Sequence, residues 1–251
     1  MPDMARYGLM VAVIFLTHFQ EGITGFGCTV LALPFITLLL GLKVAVPMLV
    51  LQGWLLAVLI VLESRKKIVW GEFARILLPM CIGLPVGMWM SRSLPEAGLK
   101  WVLAGFMVAV GTQGLISHLR GATPPAKMSP KTRFVASLFL PIGGIIHGAF
   151  GSGGPLLVIY ATRALTDKTL FRVTLCMVWT VLGAILIAQW LVSSSLTPQV
   201  WKVTGICLPF TLLGLVLGNR AHYRIDETTF RKVIYTLLAA SGLVLVWSLV
   251  G

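Results

Sequence analysis

One glycine-rich hexad occurs twice, at the same place in each half of the chain. Gly22 to Gly27 (GITGFG) and Gly148 to Gly153 (GAFGSG) both read G-x-x-G-x-G, 126 residues apart in a chain of 251. Both lie inside long apolar stretches, where each glycine weakens a helix by about 1 kcal/mol relative to Ala. Two matched interruptions of this kind restrict the fold strongly. In a membrane protein, paired glycine-broken apolar segments point to the place where a ligand binds.

The setting is that of an all-α, polytopic integral membrane protein. Hydrophobic residues make up 57% of the chain and charged residues 11%, against roughly 45–50% and about 25% in soluble domains. Apolar runs of about 20 residues recur, long enough to cross a hydrocarbon core of about 30 Å. The first run ends in Gln20-Glu21-Gly22 rather than at a small-residue cleavage site, so it does not read as a cleaved signal peptide. The net charge of +12 does not indicate nucleic acid, because the charges lie in short loops between apolar runs rather than on one face. Cys28, Cys81, Cys176 and Cys207 are far apart in apolar segments. They read as packed free thiols, not as a disulfide framework or a zinc site. No metal-ligand set and no cofactor is implied.

Charge placement yields a topology. The apolar segments run over 5–19, 28–42, 45–62, 73–91, 99–118, 134–147, 154–162, 170–192, 199–218 and 230–250. Four connecting windows, 64–75, 119–133, 163–172 and 219–232, hold 15 of the 20 basic residues. The positive-inside rule assigns all four to the cytoplasm. Residues 134–162 then start and end on the cytoplasmic side, and residues 5–42 start and end on the outer side. Arms of about 9–15 residues are too short to cross upright at 1.5 Å per residue. Two solutions fit: re-entrant helical hairpins with tips at the glycines, or thin, tilted full spans with the same tips. Each half is then one glycine-tipped hairpin plus three transmembrane helices, and the halves enter from opposite faces as two inverted-topology repeats. The first repeat covers 1–120 and the second 132–251. Residues 121–131, with Pro124 and Pro125, form a cytoplasmic linker between them. Both ends of the chain fall on the outer side.

The tips carry the chemistry. Backbone in a bilayer must be hydrogen-bonded, so a non-helical turn survives only where protein or a water-filled cavity surrounds it. Beyond each tip a second half-helix is expected, near Cys28 and near Pro155, and its N-terminus offers free N–H groups and a partial positive charge. Two facing tips make an anion cavity built mainly from backbone. The candidate binding set is Gly22, Thr24, Gly25, Phe26, Gly27 and Cys28 with Gly148, Gly151, Ser152, Gly153 and Gly154; Thr29 is a further hydroxyl donor. The competing use of such glycines is close helix packing, which is the reading adopted for Gly83/Gly87 and Gly214/Gly218.

Ionisable groups at membrane depth are costly and raise a functional hypothesis by default. Glu21 and His147 stand at the same repeat position, immediately before each hexad. Either carries a coupling proton, or each is a hydrogen bond that locks its tip; both readings stay open. His18 is expected to pack or bond a carbonyl, and His118 and His222 to be solvated at cytoplasmic ends. Gln52 and Gln189 either line the path or join helices. Arg163 and Arg172, with Lys168, either draw anions into a cytoplasmic vestibule or only set topology. Trp54, Trp70, Trp89, Trp101, Trp190, Trp201 and Trp247 mostly fall near segment ends and are read as an interfacial belt.

The stretches His18 to Pro34 (HFQEGITGFGCTVLALP) and His147 to Leu156 (HGAFGSGGPL) resemble the two duplicated motifs of the TauE/SafE family of sulfite and organosulfonate exporters, and Phe171-Arg172-Val173-Thr174 resembles a segment that follows the second motif. The resemblance covers essentially the whole chain. It implies a secondary transporter of a small sulfur-containing anion, such as sulfite, thiosulfate or an organosulfonate, usually outward across the bacterial cytoplasmic membrane. The residues themselves indicate only an anion. Position 28 is Cys where the second tip has Gly154, so the two sites need not be equivalent.

The expected function is therefore export by alternating access, with a small anion and the bilayer as partners and no nucleic acid. A homodimer is compatible, although no segment identifies an interface. The rivals are a passive anion channel, which also uses a glycine-lined path, and a membrane-embedded enzyme. The enzyme needs a cluster of Asp, Glu or His in one cavity, and the chain has eight acidic residues in all, of which the sequence puts only Glu21 clearly within the apolar region.

Overall fold

The computed structural model describes residues 3–95, 97–99, 134, 136–165 and 167–224, with isolated positions within 101–116 and at 243, 246 and 247. The linker 121–131, about half of the expected span 99–118 and nearly all of 230–250 lie outside the described residues. Eight helices are described over their full length: α1 (Asp3–Thr24), α2 (Cys28–Leu40), α3 (Leu42–Ser64), α4 (Trp70–Ser93), α5 (Leu140–Phe150), α6 (Gly154–Ala164), α7 (Lys168–Val192) and α8 (Pro198–His222). No strand occurs among the described residues. Four segments are long and apolar enough to cross a membrane: Leu42–Lys67, Trp70–Ser93, Lys168–Val192 and Pro198–His222. The chain is a multi-pass helical membrane protein.

The ends of these helices follow local chemistry. A single left-handed residue, Gly41 at φ +76°, separates α2 from α3. The exposed Arg65-Lys66-Lys67 turn ends α3, where three adjacent cations require water. Asp167 caps α7 by accepting the Thr169 and Leu170 N–H groups at 2.8 and 2.9 Å. Thr197 caps α8, with Pro198 in the first turn.

Most arms at the glycine breaks have the expected short length. Helices α2, α5 and α6 have 13, 11 and 11 residues, or about 17–20 Å at 1.5 Å per residue. Helix α1 differs. Its 22 residues span about 33 Å, because the helix continues through Thr17, His18, Gln20 and Glu21, all buried. An apolar run ends where polar side chains begin. A helix does not, provided that those side chains find partners inside the protein.

Three pairings dominate the packing: α4 on α5, α1 on α8, and α3 on α7. Glycines make the first two close. A Cβ on Gly83 or Gly87 would collide with the carbonyls of Pro141 and Ile145, and one on Gly144 or Gly148 with those of Met80 and Leu84. On the other side, Gly214 and Gly218 abut the carbonyls of Phe15 and Phe19, and Gly22 abuts Gly218. Small residues that bring backbones together are a main source of helix association in membranes. Helices α3 and α7 carry much of the core, while α4 and α8 turn Leu78, Ile82, Trp89, Leu213 and Val216 outward. Such a surface suits lipid rather than water.

Some helix ends recur at one fixed spacing along the chain. Shifting by 126 residues carries the starts of α2 and α3 onto those of α6 and α7, and the end of α1 onto the end of α5. The pairing of α1 with α8 has its counterpart in the pairing of α5 with α4.

Candidate functional site

The first break is Gly25-Phe26-Gly27. Gly25 ends α1 at φ +78°, its N–H bonded to the Glu21 carbonyl at 2.6 Å. Gly27 opens α2 at φ +103°. Left-handed backbone of this kind costs a residue with a Cβ roughly 1–2 kcal/mol. At Gly25 space is missing as well, since a Cβ there would stand 2.8 Å from the Arg172 carbonyl oxygen. Gln20 holds the turn, donating from Nε2 to Thr24 Oγ1 at 2.8 Å and to the Phe26 carbonyl at 3.0 Å. The Cys28 N–H donates to Glu21 Oε2 at 3.1 Å. The N-terminus of α2 is thus not bare, because a carboxylate of the chain already occupies part of it.

The second break is built alike. Gly151 ends α5 at φ +64°, its N–H bonded to the His147 carbonyl at 2.7 Å. The His147 ring reaches across the turn, and its Nδ1 accepts the Gly153 N–H at 3.4 Å. Glu21 and His147 therefore do the same job in the two hexads: each caps the chain that follows its own break. The breaks differ after that point. Gly27 is left-handed and Gly153 is not (φ −72°).

Between the breaks lies a cavity of about 40 Å³, enough for about three waters. Glu21, Gly27 and Thr29 line it from the first break, and His147 with Gly151 to Gly154 from the second; Gly53 and Trp54 of α3 and Trp179 and Gly183 of α7 close its sides. Two buried polar atoms of its lining residues, Ser152 Oγ and His147 Nε2, have no partner among the described residues. With Nδ1 accepting from Gly153, the neutral imidazole carries its proton on Nε2, so both atoms are available as donors. Trp179 joins the breaks: its Nε1 donates to the Gly25 carbonyl at 3.1 Å, while its ring stacks on His147 at 5.3 Å between centroids.

The structure sorts the sequence-derived candidates. Glu21, Gly27, His147, Gly151, Ser152, Gly153 and Gly154 line the cavity. Thr24, Gly25, Phe26 and Cys28 form the frame of the first break and are not among the lining residues. Gly22 and Gly148 face α8 and α4, and so are seam glycines. Arg172 is 3% exposed; it lies within the packed helices beside Gly25 instead of in an open vestibule, because its aliphatic stem packs against the break. The side chain of Arg163 lies outside the described residues, as does His118. His222 is buried, not solvated, and its Nδ1 donates to the Ile23 carbonyl. His18 bonds the Ile14 carbonyl, and Gln52 joins α3 to α8 through the Thr204 carbonyl at 3.3 Å.

Sequence reasoning missed three contributors. Trp54 belongs to the cavity wall and not to an interfacial belt; its Nε1 donates to the Thr180 carbonyl at 3.0 Å. Trp179 and Gln20 carry no motif of their own in the sequence, yet Trp179 lines the cavity and Gln20 holds the first turn. The available signal is that each is a large polar-tipped residue inside or at the end of an apolar segment. Glu72 is a second buried carboxylate, bonded to Tyr160 at 2.9 Å and to Arg75 at 2.7 Å.

With this geometry in place, comparison with known proteins is decisive. The family described as sulfite exporter TauE/SafE matches residues 10–245, nearly the whole chain. The chain belongs to the sulfite exporter TauE/SafE family. Among its relatives is a probable inner membrane transporter protein, TsaS, of Comamonas testosteroni, 27% identical over 71% of this chain and 72% of the relative. Another is a probable sulfite/organosulfonate exporter, TauE, of Cupriavidus necator, 28% identical over 66% of this chain and 62% of that protein. No solved structure matches the chain. The family and both relatives are described as transporters, and the enzyme alternative is set aside on that ground.

Proposed function

We propose that this protein is a secondary transporter that exports a small sulfur-containing oxyanion, such as sulfite, thiosulfate or an organosulfonate, across the bacterial cytoplasmic membrane. The observation that carries the reading is the cavity between the two glycine breaks, with Ser152 Oγ and His147 Nε2 buried, without a partner among the described residues, and able to donate. Buried donors without acceptors are costly, and an oxyanion satisfies them. The relatives' names supply the sulfur.

The same reading treats the chain as two inverted-topology repeats, 1–120 and 132–251, with the linker 121–131 in the cytoplasm. Each break is then the tip of a helical hairpin. In support stand the common 126-residue shift of helix ends, the exchanged pairing of α1–α8 and α5–α4, and the basic loops. Repeats that rock around a fixed midplane site give alternating access. An anion leaving an inside-negative cell moves down the electrical gradient, worth about 2.3 kcal/mol per charge per 100 mV, so no nucleotide is required.

Glu21 enters the same cavity. An ionised carboxylate repels an anion beside it, so anion occupancy and a proton on Glu21 favour one another. Transport is therefore expected to depend on pH. The test is flux into proteoliposomes of sulfite, thiosulfate, a sulfonate and chloride, at fixed potential and with or without a pH gradient. Saturable flux of a sulfur oxyanion is expected. Absence of anion flux would sink the transporter reading, and flux that never saturates would make the protein a channel.

A further inference from the structure

Arg172 stands near the start of α7, outside the cavity just described, and its charge is poorly compensated. Nη1 donates to Asn219 Oδ1 at 2.9 Å. The Asn219 amide in turn donates to the Glu63 carboxylate oxygens at 3.3 and 3.2 Å. Glu63 is exposed, so the carboxylate nearest in this chain of bonds reaches the guanidinium only through an amide. Nε and Nη2 are buried and have no partner among the described residues. A buried charge is normally paired, and its remaining donors are normally satisfied.

The two free nitrogens share one edge of the planar guanidinium. That edge presents two parallel N–H groups, which match two oxygens of a sulfonate, sulfite or phosphate. The surroundings hold it in place. The Arg172 backbone and Cγ press on Gly25, where no Cβ fits. His222 bonds the Ile23 carbonyl just before the break, and Lys168 Nζ donates to the His222 carbonyl at 3.1 Å. A side chain needed only to tie α7 to α8 would not require a second, unused edge fixed in a packed interior.

We propose that the Nε/Nη2 edge of Arg172 is a second oxyanion site, behind the first glycine break, which holds the transported anion before or after it occupies the cavity. Only its place on the path rests on the transport reading. Binding of an oxyanion does not.

The test uses the full chain in detergent with sulfite as probe and chloride as control, reading binding by calorimetry and folding by thermal unfolding. Flux is read in parallel. Arg172→Lys keeps the charge but cannot offer two parallel donors. It is expected to remove one of two bound sulfites and to raise the sulfite KM about tenfold or more, with the response to chloride unchanged. Asn219→Asp guards against a misfolded Arg172→Lys. It sets a carboxylate directly against the guanidinium and is expected to weaken sulfite binding about tenfold in a protein at least as heat-stable as the parent. Wild-type sulfite affinity, stoichiometry and KM in either folded variant would overturn the proposal. Loss of sulfite binding on Arg172→Lys alongside unaltered behaviour of Ser152→Ala would support this site while removing the cavity reading.

Discussion

The Glu21 carboxylate accepts the backbone N–H of Cys28 at 3.1 Å, across the first glycine break. The same side chain closes the break and lines the cavity, so its two duties can be separated by substitution. His147 stands in the equivalent position, with Nδ1 on the Gly153 N–H and its other nitrogen without a partner among the described residues. Cap and site are combined in one residue on each side.

Glu21→Gln retains an oxygen acceptor for Cys28 and removes the ionisable group. The fold should persist, and the dependence of sulfite flux on pH should flatten. Glu21→Ala leaves the Cys28 N–H buried and unpaired, at a cost of about 1–3 kcal/mol, so its thermal midpoint should fall. Flux profiles between pH 5 and pH 8 and thermal unfolding separate the two effects; an unaltered pH profile in Glu21→Gln would remove Glu21 from proton coupling.

Gly25→Ala and Gly151→Ala should both fail, for backbone reasons and for space. Each residue is left-handed, which costs about 1–2 kcal/mol with a Cβ, and the new methyl groups would strike Arg172 and Val50. Gly154→Ala is the control within the site. Its Cβ would meet Phe26 Cδ2 at 3.7 Å and Trp179 Cζ2 at 3.9 Å, ordinary contacts. That variant should fold normally and, by narrowing the cavity, raise the KM. Yield of folded protein in detergent and flux decide the pair.

The seam glycines should affect stability rather than affinity. Gly87→Ala and Gly218→Ala force α4 from α5 and α8 from α1, because carbonyls already occupy the Cβ positions; overpacking of this kind costs roughly 1–3 kcal/mol or more. Gly205→Ala, which meets nothing within 4 Å, should be neutral or slightly stabilising, by up to about 1 kcal/mol. Thermal unfolding checks the order, and the residual activity of the folded fraction should show an unchanged KM.

Ser152→Ala distinguishes a ligand site from a packing site directly. The hydroxyl is buried without a partner among the described residues, so in the empty protein its removal should be neutral or stabilising. Flux should nonetheless suffer, with the sulfite KM raised several-fold. An unchanged KM would mean that Ser152 does not touch the anion.

Much of this was legible in the residues. Composition and basic windows are enough for a helical, multi-pass chain, because a bilayer admits few alternatives and tolerates few charges. The hexads locate both helix breaks, because left-handed backbone and missing space demand glycine at Gly25, Gly27 and Gly151. The individual duties were less legible. Within one hexad, Gly22 and Gly25 look equivalent, yet one packs on α8 and the other turns the chain. Arg172 reads as a loop cation beside Lys168, and the fold buries it.

The sequence alone determined that apolar helices are broken at two matched places, since propensity and the cost of bare backbone in lipid act locally and need no partner. Tertiary structure decided what faces the breaks. It brought Ser152 and His147 to one cavity with Glu21, set Trp179 between the two turns, and left one edge of Arg172 without a partner among the described residues. Those outcomes depend on which surfaces of α3, α7 and α8 meet, and a contact between residues more than 100 positions apart leaves no local trace in the chain.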